Sequence, residues 1–383
     1  MDFSVVDLSA EDQVFLDETR AFITKHVTDE VLRRQREFGE NFDEQVHLAL
    51  GDAGYLASDW RLESEGGFNA VRRRIFHLEV ARAHTPWYHW GTTSVVARLV
   101  QQFGTPELAG KVVPGVLSGE IRLCLGYTEP EGGSDVATCK TRAVRDGDTW
   151  IINGSKMFTS NAQNARYVFL LTNTDPQGPK HKNLTMFLVP LDTPGVEIQA
   201  IRTLDGDRTN IVYYSDVRVD DLYRIGEVNG GWTVMRSALD SEHGIVDPED
   251  HGLQYIAAMS AHGDLMAEVV DIVAALVAEV DDGSVNYRLG RSVARMEAAL
   301  STPGMFGRVA IAQTMRDISP DLMDILGTAS ALPADTRASA SDGAAEHLYR
   351  LALPVGIYGG TLEVFRNMIA QHALKLGKPG YGG

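Results

Sequence analysis

The sequence contains very little cysteine: Cys124 and Cys139 are the only two in 383 residues. Their spacing matches no metal-binding or redox pattern and two residues cannot build a disulfide framework, so we expect a reduced compartment and no bound metal. Residues 1–4 do not begin a basic region followed by an apolar run, and no stretch is long enough to cross a bilayer. We therefore predict a cytoplasmic protein with no membrane partner.

Basic residues are also scarce, with 35 Lys and Arg against 52 Asp and Glu and a formal net charge of −17. This acidic balance argues against nucleic acid as a partner, and the triplet Arg72-Arg73-Arg74 is more typical of a solvated helix face. The content of 44% hydrophobic and 23% charged residues is that of a soluble globular protein. The length exceeds what one hydrophobic core usually supports, which predicts two or three domains.

The first third of the chain has a helical pattern. Ser9 with Asp12 resembles a capping box, and apolar residues then recur at roughly helical spacing, at Phe15, Phe22 and Val27. Residues 1–119 are therefore predicted to form an all-helical N-terminal domain.

After residue 119 the pattern changes to short β-branched and aromatic runs. They are Trp150-Ile151-Ile152, residues 167–171, residues 186–189 and residues 211–214. The turn signals Asp146-Gly147 and Asn153-Gly154 separate strands, which indicates a central antiparallel β domain over 120–228. Ala-, Met- and Leu-rich segments return after it, so residues 229–383 are predicted to form a C-terminal helical bundle. The predicted fold class is α+β.

Two segments carry most of the functional information. They read Tyr127-Thr128-Glu129-Pro130-Glu131-Gly132-Gly133-Ser134-Asp135 and Ile152-Asn153-Gly154-Ser155-Lys156-Met157-Phe158, with Ser160 close behind. Adjacent glycines let backbone amides approach a ligand, and short hydroxyls can bind a polar heterocycle. The alternative for Gly132-Gly133 alone is a hairpin loop that needs glycine for positive φ.

Together and in this order, the two segments resemble the flavin-binding signature of the acyl-CoA dehydrogenases. The resemblance covers nearly the whole chain and includes residues 226–232, Asp324-Ile325-Leu326-Gly327 and residues 358–366. It implies α,β-dehydrogenation of an acyl-CoA thioester, with electrons passed to an electron-transfer flavoprotein or a similar acceptor. It also implies an FAD cofactor held by Tyr127, Thr128, Gly133, Ser134, Phe158, Ser160 and Gly327. Phe158 stands where the family usually has tryptophan.

The resemblance also predicts where the catalytic base lies. Many members carry the base carboxylate at the position of Gly359, which has no side chain to accept a proton. In other branches the base comes from the first long helix of the C-terminal bundle, which matches Glu242 here, and a dry pocket is expected to raise the pKa of its carboxyl toward neutrality. Asp240 and His243 are competing candidates, and the implied substrate contacts are Asp240, Tyr358 and Gly359.

A further departure concerns the cofactor's pyrophosphate. Homotetrameric members carry an Arg-x-x-Phe-Gly segment that reaches the neighbouring subunit's flavin, and residues 271–291 contain no such segment. Thr328 and Ser330 replace glycines of the usual run, and Asp324 stands where glutamine is common. The combination of Gly359 in the closing segment, a helix-borne Glu242 and the missing arginine segment resembles the heteromeric subgroup associated with steroid side-chain breakdown.

These departures predict a hetero-oligomer with a second dehydrogenase-like subunit and a bulky, steroid-type acyl group. Two alternatives stay open: an acyl-CoA oxidase or a dehydrogenase of carrier-bound acyl chains, and a cofactor-poor structural subunit of a heteromeric dehydrogenase. The sequence does not distinguish CoA from carrier-protein thioesters or oxygen from a flavoprotein acceptor.

Overall fold

A computed structural model of the chain describes residues 7–242, 253–334 and 336–377, with side chains described outside 240–261. The chain divides into two compact units, 1–239 and 240–383. The first unit begins with helices α1 Ala10–His26, α2 Asp29–Phe38, α3 Glu44–Asp52, α4 Tyr55–Trp60, α5 Ala70–Arg82, α6 Trp90–Phe103 and α7 Pro106–Leu117. As predicted, Ser9 caps α1, because its Oγ accepts the Asp12 amide at 3.1 Å.

A mostly antiparallel sheet follows. Its strands are β1 Leu123–Gly126, β2 Arg142–Asp146, β3 Thr149–Lys156, β4 Tyr167–Asn173, β5 Leu184–Pro190, β6 Val196–Arg202, β7 Arg208–Asp220 and β8 Arg224–Ile225. The order is β6-β7-β3-β2-β4-β5-β8, and β1 pairs with β4 in parallel. The predicted helical, antiparallel β and helical regions are confirmed, whereas the parallel pairing of β1 was not predicted.

One predicted turn is wrong. Asp146-Gly147 does connect β2 to β3, with φ of 65° at Gly147, but Asn153-Gly154 lies inside β3. The ladder with β7 shifts register between Ile152 and Gly154, and the Asn153 side chain bonds to Asp216 across that bulge. Gly154 is therefore part of a β-bulge, and the chain does not reverse direction there.

The helices α6 and α7 share one hydrophobic core with the sheet. Val100 and Leu108 belong to the same cluster of buried residues as Phe169, Met186 and Leu188. The change from helix to strand between 117 and 123 is therefore not a break in packing, and the division at 119 into separate domains stays a prediction.

The remaining helices are α8 Gly231–Glu242, α9 Leu253–Leu276, α10 Gly283–Leu300, α11 Gly304–Leu326, α12 Ala344–Val355 and α13 Leu362–Met368, with a π-helical turn at Ile369–Ala373. Short 3-10 turns occur at Glu63–Glu65, Val136–Thr138, Ala162–Asn164, Asp221–Tyr223, Gly327–Ala331 and Ala340–Gly343. In the second unit, α9 to α12 pack around a separate core that includes Met266, Val270, Met315 and Leu348.

Candidate active site

The two motif segments are neighbours in the structure. Residues 127–134 leave the end of β1, and residues 157–160 leave the end of β3. The Met157 amide donates to the Thr128 carbonyl at 2.8 Å, so the two segments form one continuous surface. We call residues 127–134 and 156–160 the ring wall.

The two adjacent glycines of the ring wall differ in what their surroundings allow. Neither has a positive φ, so the hairpin explanation does not account for them. A Cβ on Gly132 would lie 2.8 Å from Thr138 Oγ1, whereas a Cβ on Gly133 would meet only Thr128 Cγ2 at an ordinary 3.6 Å. The fold therefore restricts Gly132, while the space beside Gly133 is open.

Phe158 is turned outward from the sheet. Its side chain is 55% exposed, and its backbone has φ of 58°, in the left-handed region that bulky residues rarely adopt. Such a conformation costs on the order of 1 kcal/mol and is found preferentially at functional sites. Phe158 is therefore not part of the β-domain core, and its exposed aromatic face is available to a ligand.

The ring wall also carries short hydroxyl side chains. Ser134 and Ser160 are exposed and Thr128 is half-buried. Ser160 Oγ lies 3.0 Å from Thr209 Oγ1 on β7, which ties the turn after Phe158 to the sheet. Tyr127 packs inward, its ring 6.1 Å from that of Phe169 in an edge-on arrangement. The ring wall thus presents an aromatic face and hydroxyl edges.

Sequence reasoning missed a buried ion pair behind the ring wall. Lys156 Nζ lies 2.8 Å from Glu129 Oε1, and both side chains are buried. Burial alone would raise the pKa of the Glu129 carboxyl, but the Lys156 ammonium and the hydrogen bonds from Thr141 together more than offset this, and the pKa falls to about 2. The alternation of buried residues along β3, from Trp150 and Ile152 to Lys156, was the signal available in the sequence.

The other predicted site residues belong to the second unit. Gly327 ends α11 with φ of 71°, and a Cβ there would meet no atom within 4 Å. Gly359 also has a left-handed backbone, with φ of 61°. Tyr358 Oη lies 2.5 Å from His262 Nε2, and the backbone carbonyl of Tyr358 accepts from Arg308 Nη2 at 2.9 Å. The segment before Gly359 is therefore firmly anchored.

The predicted base can be placed only by its backbone. Glu242 is the last residue of α8, and the side chains of Glu242 and Asp240 lie outside the described residues, as does His243 altogether. The catalytic role of Glu242 and the substrate role of Asp240 therefore stay predictions.

The region where family members carry the cationic segment is acidic. The connection between α9 and α10 contains Glu279, Asp281 and Asp282, and Asp282 Oδ1 caps α10 by accepting the Ser284 amide at 2.7 Å. The arginines of α10 bind α11 instead: Arg288 bonds to Asp321 at 2.9 Å and to Asp324 at 2.8 Å, and Arg295 bonds to Asp317 at 2.8 Å. This surface does not suit a pyrophosphate.

Ser330, which replaces a glycine of the usual run, has a structural role. Its side chain is buried, and its Oγ donates to the carbonyls of Met323 at 2.9 Å and Gly327 at 2.7 Å. Those bonds close the end of α11.

The described residues offer neither a metal centre nor a membrane-crossing helix. Within the described ranges, no group of three or more His, Cys, Asp or Glu side chains is placed to hold a metal ion. No helix in the same ranges combines the length and apolar character that a membrane crossing needs. Cys124 and Cys139 are both buried and free.

Comparison with proteins of known sequence gives long matches. The acyl-CoA dehydrogenase FadE26 of Mycobacterium tuberculosis is 31% identical over 371 residues, which cover 89% of this chain and 90% of FadE26. The acyl-CoA dehydrogenase IpdE1 of the same organism is 31% identical over 351 residues, covering 87% of this chain and 88% of IpdE1.

Solved structures match over almost the full length. The Tcur3481-Tcur3483 steroid ACAD superposes with a TM-score of 0.83 at 30% identity, covering 98% of this chain and 100% of that chain. The ChsE4-ChsE5 complex from Mycobacterium tuberculosis has a TM-score of 0.81 at 27% identity, covering 98% and 100%.

Family models identify each region in turn. The acyl-CoA dehydrogenase N-terminal domain matches residues 9–120, the middle domain matches 124–221 and the C-terminal domain matches 283–374. The middle-domain match contains both segments of the ring wall. With relatives about one-third identical along nine-tenths of its length, this chain belongs to the acyl-CoA dehydrogenase family of oxidoreductases.

Proposed function

We propose that this chain is the base-bearing subunit of an FAD-dependent acyl-CoA dehydrogenase that acts on a bulky acyl-CoA. The observation that carries the proposal is the ring wall, in which the segment of the outward, left-handed Phe158 is bonded through Met157 and Thr128 to the segment that contains the open space at Gly133. A flat ring with polar edges suits this surface, because Phe158 offers an aromatic face and Ser134 and Ser160 offer exposed hydroxyls.

The ring wall fits a flavin, and Thr128, Gly133, Ser134, Phe158 and Ser160 would hold it there. When bound, a flavin supplies the hydride acceptor for the substrate's β carbon. The chain must then supply a base for the proton on the α carbon, and Glu242 is the proposed base. Gly359 has no group that could accept this proton, and its left-handed φ of 61° is a conformation that a glutamate would adopt only with strain.

A second subunit completes the proposed enzyme. Among the described residues, the connection between α9 and α10 offers Glu279, Asp281 and Asp282 and no cation for a pyrophosphate. Two of the most similar structures are named for two different proteins, Tcur3481-Tcur3483 and ChsE4-ChsE5. A homologous partner that provides the cation explains how an intact ring wall coexists with the missing segment.

A bulky acyl group and a flavoprotein electron acceptor belong to the same proposal. The first of these structures is called a steroid ACAD, which supports a steroid-type substrate here. A structural subunit that binds no cofactor would not need Phe158 to point outward in a strained backbone conformation. The ring wall therefore favours a catalytic subunit.

The experiment begins with the assembly. The chain is co-expressed with candidate dehydrogenase-like partners, and native mass and flavin absorbance are measured for each complex. We expect a heteromer with bound FAD, whereas an active homotetramer with one FAD per subunit would refute the heteromeric part of the proposal.

Within an active complex, Glu242→Gln tests the base. The amide keeps the shape of the side chain but cannot accept a proton, so turnover should fall by roughly 100- to 10,000-fold while flavin content stays unchanged. Glu363→Gln is the matched control, because Glu363 is exposed on α13 and should be dispensable. Activity of Glu242→Gln within a few-fold of wild type would rule out the assignment.

A further inference from the structure

Glu129 and Lys156 each belong to one segment of the ring wall, and the proposed reaction uses neither. Lys156 Nζ donates to Glu129 Oε1 at 2.8 Å, to the Tyr127 carbonyl at 3.2 Å and to Cys139 Sγ at 3.3 Å. The Glu129 carboxylate also accepts the amides of Lys140 at 2.7 Å and Thr141 at 2.8 Å. One buried pair therefore connects β1, β3 and the chain entering β2.

We propose that Glu129 and Lys156 are positioning residues that hold the two segments of the ring wall in fixed relation, so that Phe158 and Gly133 keep the spacing a flat ring requires. The proposal rests on the proposed function only in taking that ring to be a flavin. Lys156 is fully buried, so its side chain supports the ring wall from the inner side.

Stability alone does not account for a charged pair at this place. Removing two charges from water costs free energy, and well-packed apolar residues of similar volume often stabilise a protein as much or more. Charged hydrogen bonds also fix the relative geometry of the groups they join, because each donor must point at its acceptor. Glu129 also exchanges two backbone bonds with Gly132, at 3.0 and 3.1 Å, so its position fixes the turn that carries Gly133.

Lys156 acts on the other segment in the same way. It is the last residue of β3, and Phe158 follows two residues later. The backbone bonds that hold this turn are few: Met157 to Thr128 at 2.8 Å, Thr159 to Asn210 at 2.9 Å and Ser160 to Phe158 at 3.0 Å. Anchoring Lys156 at the Tyr127 carbonyl places the start of the turn against the opposite segment.

The ionised state of Glu129 depends on its partner. Two titratable side chains bond to it: Lys156, which supplies a positive charge, and Cys139, whose thiol stays neutral because burial raises its pKa to about 11. Lys156→Met would leave a buried carboxylate without a positive charge beside it, whereas Glu129→Gln combined with Lys156→Met removes both charges and preserves volume.

The test compares amide hydrogen exchange between the full-length wild-type chain and its variants. In both the single Lys156→Met and the double variant, residues 127–134 and 156–160 should exchange faster than in wild type, while β4 and β5 keep their protection. Arg224→Met is the matched control, since it removes the cation of the Asp221–Arg224 pair, which lies in the same sheet region at 2.9 Å, and should leave both segments unchanged. Wild-type protection of both segments in the double variant would overturn the proposal.

The second measurement is FAD affinity and the flavin absorbance spectrum of the complex with its partner subunit. The double variant should bind FAD about tenfold more weakly or worse, with a shifted spectrum, because a loosened wall no longer matches the ring. Unchanged affinity and spectrum would reduce the pair to a structural role and also overturn the proposal. If wild type holds no FAD, the proposed function fails, and the exchange result still decides whether the pair positions the segments.

Discussion

His47 offers a quantitative test of the packing in the first unit. It lies on α3 with its ring buried, 5.6 Å from the ring of Phe42 and 6.1 Å from that of Trp90. Neither ring nitrogen has a hydrogen-bond partner among the described side chains and backbone. Burial lowers the pKa of His47 to about 4, and the nearby Arg122 and His89 act in the same direction.

The sign of the effect follows from which state binds the proton. Between about pH 6.5 and 4 the unfolded chain binds a proton at position 47 that the folded chain does not, so stability falls as the pH is lowered through this window. The loss begins below about pH 6.5 and is complete below about pH 4. Its full size is about 3 kcal/mol, and at pH 5 it is about 2 kcal/mol.

The perturbation is His47→Leu, which removes the proton-binding group and keeps an apolar side chain of similar volume. Urea unfolding is followed by tryptophan fluorescence, because all five tryptophans lie within the unit 1–239. The free energy of unfolding of the variant, relative to that of wild type, should rise by about 2 kcal/mol between pH 8 and pH 5. This change is expected whatever the difference between the two proteins is at pH 8.

Val46→Ala is the matched control. Val46 is buried beside His47 on the same helix, and its truncation should lower stability by about 1–3 kcal/mol at every pH, since no titrating group changes. If the difference between His47→Leu and wild type is the same at pH 8 and pH 5, the reasoning about His47 is wrong.

Two further predictions concern glycines of the β region. Gly133→Leu should lower the FAD content of the complex while folding is kept, because the added side chain would fill space that the chain itself leaves open; a full flavin spectrum in this variant would contradict a ligand role for that space. Gly154→Ala should lower stability by about 1 kcal/mol or more, since φ is 146° and a Cβ would lie 2.7 Å from Thr141 Cα. Urea unfolding followed by tryptophan fluorescence measures the second effect, and wild-type stability would count against it.

Local chemistry made much of the fold predictable. The Ser9 cap and the apolar runs at 150–152 and 167–171 rest on interactions between residues close in sequence, and the structure confirms each element. Asn153-Gly154 was misassigned because the same dipeptide serves a two-residue turn and a strand bulge. Only the pairing of β3 with β7 distinguishes the two, and that pairing is non-local.

The candidate site was likewise predictable from the sequence only in part. The family resemblance implied that Thr128 and Phe158 contact one ligand, and the bond between Met157 and Thr128 shows that their segments are adjacent. The residues adjacent to Glu129 and Lys156 in the sequence do not indicate that the two side chains meet, because their contact depends on β1 and β3 lying in one sheet. Likewise, the left-handed backbone of Phe158 is set by its tertiary surroundings, against the intrinsic preference of phenylalanine.

The backbone of Phe158 has a consequence for selectivity. Because the ring is held outward by the main chain before any ligand arrives, stacking on it requires little loss of conformational freedom on association, and this preorganisation favours any flat aromatic molecule equally. Under the proposed function, discrimination among nucleotides, flavins and other heterocycles would then come from the edges, where Thr128, Ser134 and Ser160 would bond to polar groups of the ligand. Phe158 would contribute binding affinity, and the hydroxyls would determine which heterocycle is bound.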